Sequence, residues 1–261
     1  MNDTCNSIKI SAVIITLNEE RNIQRCIDSV KDIADEVLVV DSFSTDDTKK
    51  IATSLGVRFI EHAFEGHIQQ KNWATAQSKF PHVLSLDADE ALSNELKKSV
   101  VDVKNNWTAD GYSFNRFNCY CGKWIKHGDY YPEKKLRLWD KRKGKWGGMN
   151  PHDQFEMEAG SVIKHLKGDL LHFAYYSISQ HLLQIEKFTD IAAHERFKLG
   201  KKTSVLKLIF SPTFSFIKNY FFKLGFLDGF YGFVIAVNIA HYTFLKYAKL
   251  FEIKNNRIEK L

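Results

Sequence analysis

Apolar residues run almost unbroken over positions 10–16 (Ile-Ser-Ala-Val-Ile-Ile-Thr), and shorter apolar runs follow over 36–40 and 83–86. Strands have this composition when both faces are covered, which is the condition of a parallel sheet. Behind the first run the period changes. Ile23, Ile27 and Val30 recur at helical spacing after Asn18, Glu19 and Glu20, which predicts a helix capped by Asn18 with acids in its first turn. Behind the second run, Asp41-Ser42-Phe43-Ser44-Thr45-Asp46-Asp47-Thr48 supplies turn and cap residues for a helix that Gly56 closes, and a short strand is expected over 57–60. The third run ends in Asp87-Ala88-Asp89 and leads to a helix over 93–101. Alternation over 111–118 and 136–139 predicts two more strands, carrying Arg116 and Arg137 toward a cleft.

Strands alternating with helices through short connections argue for a doubly wound α/β sheet with ligands beyond the carboxyl ends of its strands. Thr16, Asp41 and Asp87 all lie at such ends. Successive residues of a strand face apart, yet where a strand breaks Asp87 and Asp89 can both turn toward one divalent cation and a ribose. An isolated Asp-x-Asp is usually a solvated turn; three polar strand ends together are harder to explain as three separate caps. The pattern Gly-x-Gly-x-x-Gly is missing after the first strand, and Glu19 and Glu20 stand where a pyrophosphate would need backbone donors. There is no Gly-x-x-x-x-Gly-Lys-Ser/Thr either, so neither a nicotinamide dehydrogenase nor a P-loop kinase is expected. A nucleotidyltransferase should carry a glycine-rich basic loop after the first strand, and positions 17–21 offer none.

Four segments in order, Val13-Ile14-Ile15-Thr16-Leu17-Asn18-Glu19-Glu20, Val39-Val40-Asp41-Ser42-Phe43-Ser44-Thr45-Asp46-Asp47-Thr48, Gln70-Lys71-Asn72-Trp73-Ala74 and Leu86-Asp87-Ala88-Asp89-Glu90, resemble the motifs of glycosyltransferase family 2. Within it the lipopolysaccharide core β-1,4-glucosyltransferase type is the nearest likeness. The resemblance implies a GT-A fold, a nucleotide-diphosphate sugar donor such as UDP-glucose, Mg2+ or Mn2+, and inversion at the anomeric carbon. Carried onto matching positions, the backbone of Thr16 and the side chains of Glu20 and Asp41 would hold uracil, and Lys71 would lie near the nucleotide. Asp87 would accept from the ribose or reach the metal, and Asp89 would coordinate the metal directly. The family places its base after a variable middle segment, where this chain reads Pro151-His152-Asp153 with a second acid at Glu156 in place of Val-His-Glu. Asp153 is the preferred base and Glu156 the alternative, with His152 orienting the base or binding metal or acceptor. A carboxylate is ionised at neutral pH and can accept the acceptor's proton as the new bond forms.

The expected acceptor is lipopolysaccharide core or a related cell-envelope glycan. A polyprenyl phosphate lipid is the rival acceptor. A non-catalytic glycan-binding or membrane scaffold protein is the rival class, and the presence of Asp89 and of the acids near 153 speaks against it.

Charge divides the chain. Residues 1–163, expected to form the catalytic domain, carry 22 Lys+Arg against 24 Asp+Glu, whereas 164–261 carry 15 against 7. That second region is rich in large apolar residues punctuated by Lys207, Lys218, Lys223, Lys246 and Lys249, the pattern of amphipathic helices lying on an anionic membrane surface. The apolar load is too great for a phosphate-binding face, so nucleic acid is not expected. Positions 229–245 hold no Lys, Arg, Asp or Glu, but Asn238 and His241 interrupt them and the stretch falls short of the ~20 residues a span needs. Peripheral attachment is therefore preferred to crossing, with an oligomer interface or a helical cover over the core as alternatives. Positions 1–6 show neither a basic cluster nor an apolar core, so residence on the cytoplasmic side, on the inner membrane face, is expected. The four cysteines, two of them Cys119-x-Cys121, fit no zinc or disulfide framework and are read as reduced.

Overall fold

The computed structural model describes residues 7–149 and 152–258, so the expectations for positions 1–6, Cys5 included, lie outside the described residues. The chain forms two compact units. The first comprises residues up to 116, Lys134–Gly148 and His152–Phe173; the second takes Phe117–Glu133, Met149 and the chain from Ala174 onward. The boundary expected at 163/164 falls instead at the start of a strand of the main sheet, Ile163–Tyr175, and the excursion Phe117–Glu133 leaves the first unit altogether.

In the first unit, strands β1 (Ile10–Thr16), β2 (Glu36–Asp41), β3 (Arg58–Glu61) and β4 (His82–Asp87) pair in parallel in the order β3-β2-β1-β4. Helices α1 (Ile23–Val30), α2 (Thr48–Ser54) and α3 (His67–Gln77) connect them. Beyond β4 come β5 (Glu90–Leu92), α4 (Asn94–Asn105), β6 (Gly111–Tyr120), the short β7 (Lys123–Trp124) and β8 (Glu133–Asp140). β9 (Gly144–Met149) and β10 (His152–Met157) form a separate two-stranded sheet, and β11 (Ile163–Tyr175) returns to the main one. The main sheet continues past β4 as β8-β6-β11-β5, with β8 antiparallel to β4 and β5 antiparallel to β11.

Burial on both faces explains the unbroken apolar runs. Ile10, Ala12 and Ile14 join one core cluster with Ile23, Ile27 and Leu84, while Val13 joins a second with Leu38, Val83, Trp139 and Phe155. Each such side chain contributes roughly 1.5–3 kcal/mol by leaving water. Register then levels the strand ends, because Thr16 stands opposite Asp41 and Ile15 opposite Asp87. Ser93 caps α4 by accepting from the Leu96 amide at 3.2 Å. Asn18 does not cap α1. It sits at φ 55, and its side chain accepts from Thr45 N at 2.8 Å; the residues after it form a turn and the helix begins only at Ile23. A short polar side chain that tolerates the left-handed region serves better there as a loop tie than as a cap.

The second unit is built on α5 (Ile178–Lys198), α6 (Val205–Ile217) and α7 (Gly229–Ile258). Its core holds Tyr120, Ile125 and Ile235. Inside it, His181 Nδ1 meets the Tyr120 hydroxyl at 3.0 Å and the Asn238 amide at 2.9 Å, so α7 uses part of its length to cover α5. No buried residue occurs on α6. Burial lowers the His181 pKa from its ordinary 6.5 to about 4. Between those values the unfolded chain binds a proton that the folded one refuses, so stability is full above pH 6.5 and is lost as pH falls toward 4. The loss should reach about 3 kcal/mol. His181→Gln should flatten that part of the profile; thermal unfolding followed from pH 7 to pH 4 checks it, and an unchanged slope would remove His181 as the cause.

Candidate active site

Three of the expected residues converge at the end of β4. Lys71, on α3 and almost fully buried, reaches Asp87 at 3.0 Å and Asp153 at 2.8 Å. Arg137, brought by β8 and equally buried, lies 2.8 Å from Asp87 and 3.1 Å from Glu90. Arg116, on β6, approaches Glu90 at 3.4 Å. Glu90, 1 % exposed, also accepts from the Asp87 amide at 3.0 Å. Buried charges persist where they are paired and hydrogen-bonded. Burial alone would raise the Asp87 pKa, but Lys71 and Arg137 override it and hold the carboxyl well below the usual range. Arg137 is pushed upward, because Glu90 and Asp87 outweigh the cost of its burial. Three cations thus meet three carboxylates, and the indole of Trp146 lies 4.6 Å from Lys71 Nζ.

Asp89 stands apart from this network. β4 ends at Asp87 and β5 begins at Glu90, and the two-residue turn between them turns the acids to different partners. Asp89 Oδ2 lies 3.2 Å from His172 Nε2, and its buried Oδ1 has no hydrogen-bond partner. Nearby Glu19 is pushed up to about 7, first by burial and then by the field of Asp89. An orphaned carboxylate oxygen, an imidazole nitrogen and surplus negative field suit a divalent cation that completes its shell with phosphate and water. Asp89 and His172 therefore fit Mg2+ or Mn2+ as a pair, although among the described residues no group of three or more His, Cys, Asp or Glu forms a cage. Asp87, already bonded to two cations, is not turned toward that pair.

Around the strand ends the remaining expected residues are already engaged. Asp41, fully buried, accepts from Ser44 N at 2.7 Å. The Thr16 carbonyl accepts from Ser42 N at 2.9 Å, while its buried hydroxyl has no hydrogen-bond partner. Glu20 is exposed and accepts from Asp47 N at 3.0 Å.

The two base candidates separate by strand alternation. Asp153, Phe155 and Met157 occupy one face of β10, with Phe155 stacked on Trp139 at 3.9 Å. Glu156 lies on the other face and is exposed; its carboxylate rests so close to Gly147 that a Cβ there would fall 2.4 Å from Oε2. Only Asp153 is drawn into the Lys71 cluster. The side chain of His152 lies outside the described residues. No sequence pattern marks His172 or Glu90. A lone histidine in a strand carries no spacing signal, and Glu90 reads as one more acid after Asp89.

A mostly parallel sheet with acids at its level strand ends is the frame of a GT-A-like fold. The chain belongs to glycosyl transferase family 2, whose model matches residues 11–164, and it is a glycosyltransferase. It is 35 % identical over 256 residues to an uncharacterized glycosyltransferase of Rickettsia typhi, covering 94 % of this chain and 87 % of that one. It is 29 % identical over 251 residues to the lipopolysaccharide core biosynthesis glycosyltransferase LpsC of Rhizobium meliloti, covering 94 % and 93 %. Among solved structures, glucosyl-3-phosphoglycerate synthase of Mycobacterium tuberculosis in complex with Mn2+, UDP and phosphoglyceric acid matches at a TM-score of 0.37 and 25 % identity. That overlap covers 42 % of this chain and under half, 43 %, of the synthase chain.

Proposed function

We propose that this chain is an inverting glycosyltransferase that moves a hexose, glucose from UDP-glucose, onto a lipopolysaccharide core or related cell-envelope glycan. The observation that carries the reading is Asp89, with one carboxylate oxygen beside His172 and the other orphaned at the end of β4. Asp89 and His172 would hold Mg2+ or Mn2+, and the metal would neutralise charge on the departing diphosphate. Thr16, Glu20 and Asp41 border the nucleotide base. Lys71 pairs with two carboxylates in the free protein, and a diphosphate would compete for it. Asp153, on the Lys71 side of β10, receives the proton of the acceptor hydroxyl. The kinship with LpsC supports the acceptor class.

The second unit attaches the enzyme peripherally to the anionic inner face of the cytoplasmic membrane. No single helix among the described residues is long and apolar enough to cross a bilayer; only the bent pair Val205–Phe222 and Gly225–Asn255, at 70°, passes on length and composition.

Thermal stabilisation by a panel of nucleotides and nucleotide sugars, with Mn2+ and with a chelator, tests the donor side. UDP and UDP-glucose should raise Tm more than their GDP and ADP counterparts, and chelation should remove most of the gain. Equal shifts for all bases would sink the uridine assignment.

A further inference from the structure

Between α6 and α7 the second unit makes an elbow: a π-helical turn at Lys218–Phe222, Leu224 at φ 58, and a 3-10 turn at Gly225–Asp228. Its outer side is bare. Phe221, Phe222, Leu224, Phe226, Leu227 and Phe230 are between 43 % and 73 % exposed. Isolated apolar residues on a surface need no explanation, but six within ten positions do. The only charges in that stretch are Lys223, paired with Asp129, and Asp228, which is buried.

The inner side of the same elbow grips the loop between β7 and β8. Asp228 is 4 % exposed, and its carboxylate accepts from the amides of Lys126 at 3.1 Å and His127 at 2.9 Å. Its carbonyl accepts from Lys123 Nζ at 2.7 Å. Asn219, 3 % exposed, accepts from Asp129 N at 2.9 Å, and the Lys223 carbonyl accepts from Gly128 N at 2.9 Å. A loop whose amides are satisfied by the elbow's side chains and carbonyls moves with the elbow. Trp124 and Tyr131 form a half-exposed aromatic group with Phe117 of β6, 4.9 Å and 4.8 Å away, whose apolar ring faces suit a sugar ring.

From this we infer that the elbow Lys218–Phe230 inserts its aromatic side into the interface of an anionic bilayer and holds the loop of residues 123–133 at headgroup level, where it meets a membrane-borne glycan. The inference rests on the peripheral attachment proposed above and goes beyond it by naming the inserted segment and what it carries. Charge selects the occupant. Residues 201–250 carry seven lysines and one acid; Lys223 is paired with Asp129 and Lys249 with Glu186 and Asp190, while Asp228 is turned inward, so the five other lysines leave this region basic, which disfavours a second copy and favours an anionic surface. The aromatic side then adds burial at the acyl boundary.

Depth-resolved fluorescence quenching on the full chain tests it. In a background with Cys5 and Cys121 replaced by serine, an environment-sensitive dye is attached at Phe222→Cys or at Lys126→Cys. Phosphatidylglycerol/phosphatidylethanolamine vesicles carry a nitroxide either on the headgroup or deep in the acyl chain. The dye at 222 should be quenched most by the deep nitroxide and the dye at 126 by the headgroup nitroxide. Asp228→Ala combined with Asn219→Ala, which removes the side-chain ties to the amides of Lys126, His127 and Asp129, should sharply lower quenching at 126 and leave it at 222, the retained signal showing that the variant is folded and bound. Vesicle binding without deep quenching at 222 would overturn the inserted elbow, and quenching at 126 that is unchanged in the Asp228→Ala, Asn219→Ala variant would overturn the carried loop. Failure to bind vesicles, or self-association that shields position 222 without lipid, would remove the attachment itself while leaving the nucleotide-dependent thermal shifts unaffected.

Discussion

Asp89→Ala should abolish metal-dependent donor binding and leave the protein folded. The side chain is expendable for folding because the backbone makes the local contacts: the Asp89 carbonyl accepts from Phe173 N at 2.9 Å, and this bond survives substitution. What is lost is a carboxylate whose buried oxygen is unmatched and which lies beside an imidazole. His172 alone does not hold Mg2+, which prefers oxygen ligands. Loss of a charge-neutralising cation should remove several kcal/mol of transition-state stabilisation, enough to make turnover undetectable in ordinary assays. Calorimetry decides it: UDP affinity in Mn2+ that is the same in the variant as in the parent would refute the role. His172→Ala should weaken Mn2+-dependent binding in the same direction, whereas Asp87→Asn should act through loss of the Lys71 and Arg137 pairings and lower Tm as well.

Asp153→Asn should lower turnover by roughly 100-fold or more with little change in donor affinity, because the amide cannot accept a proton. Its shape is preserved, and Lys71 keeps Asp87 as a partner at 3.0 Å, so the variant should not leave a buried cation unpaired. Glu156→Gln is the control. Glu156 sits on the opposite, exposed face of β10, and the substitution should leave activity near the parent value. Steady-state rates and donor affinity measured for both variants separate the two residues; an inactive Glu156→Gln alongside an active Asp153→Asn would reverse the assignment.

The parallel half of the sheet was legible because a strand covered on both faces must be apolar throughout, as Ile10, Ala12, Val13 and Ile14 are. Motif order likewise marked Lys71, Asp87 and Asp89, and the family's base slot marked Asp153 with Glu156 as the alternative. Legibility failed where partners come from distant strands. Lys71 reads as an exposed helix lysine by local pattern, and only the arrival of Asp87 and Asp153 accounts for its burial. Arg137 and Glu90 compensate each other across 47 positions, and His172 meets Asp89 across 83. Neither pairing leaves a periodic trace. The domain boundary was misplaced for a related reason: β11 is mostly exposed or half-exposed and polar at its start, so its thirteen residues do not read as a strand of a buried sheet. Asn18 was misread because its cap-forming chemistry serves equally well to tie one loop to another.

The loops that follow β1 and β2 bind each other closely. Ser44 Oγ accepts from Asn18 N, Thr48 Oγ1 from Glu19 N, Asp46 Oδ2 from Glu20 N, and Glu20 Oε2 returns the pattern by accepting from Asp47 N. With Asn18 Oδ1 accepting from Thr45 N, the two segments behave as one body. A ligand landing on them therefore meets a surface whose backbone entropy was removed when the chain folded, roughly 1–2 kcal/mol for each residue held. Binding there need not order the receiver, so affinity can come from few contacts. The same lacing makes the loops poor targets for independent change: a substitution at Asn18 or Ser44 alters both at once, and any drift in what they recognise has to proceed through paired replacements.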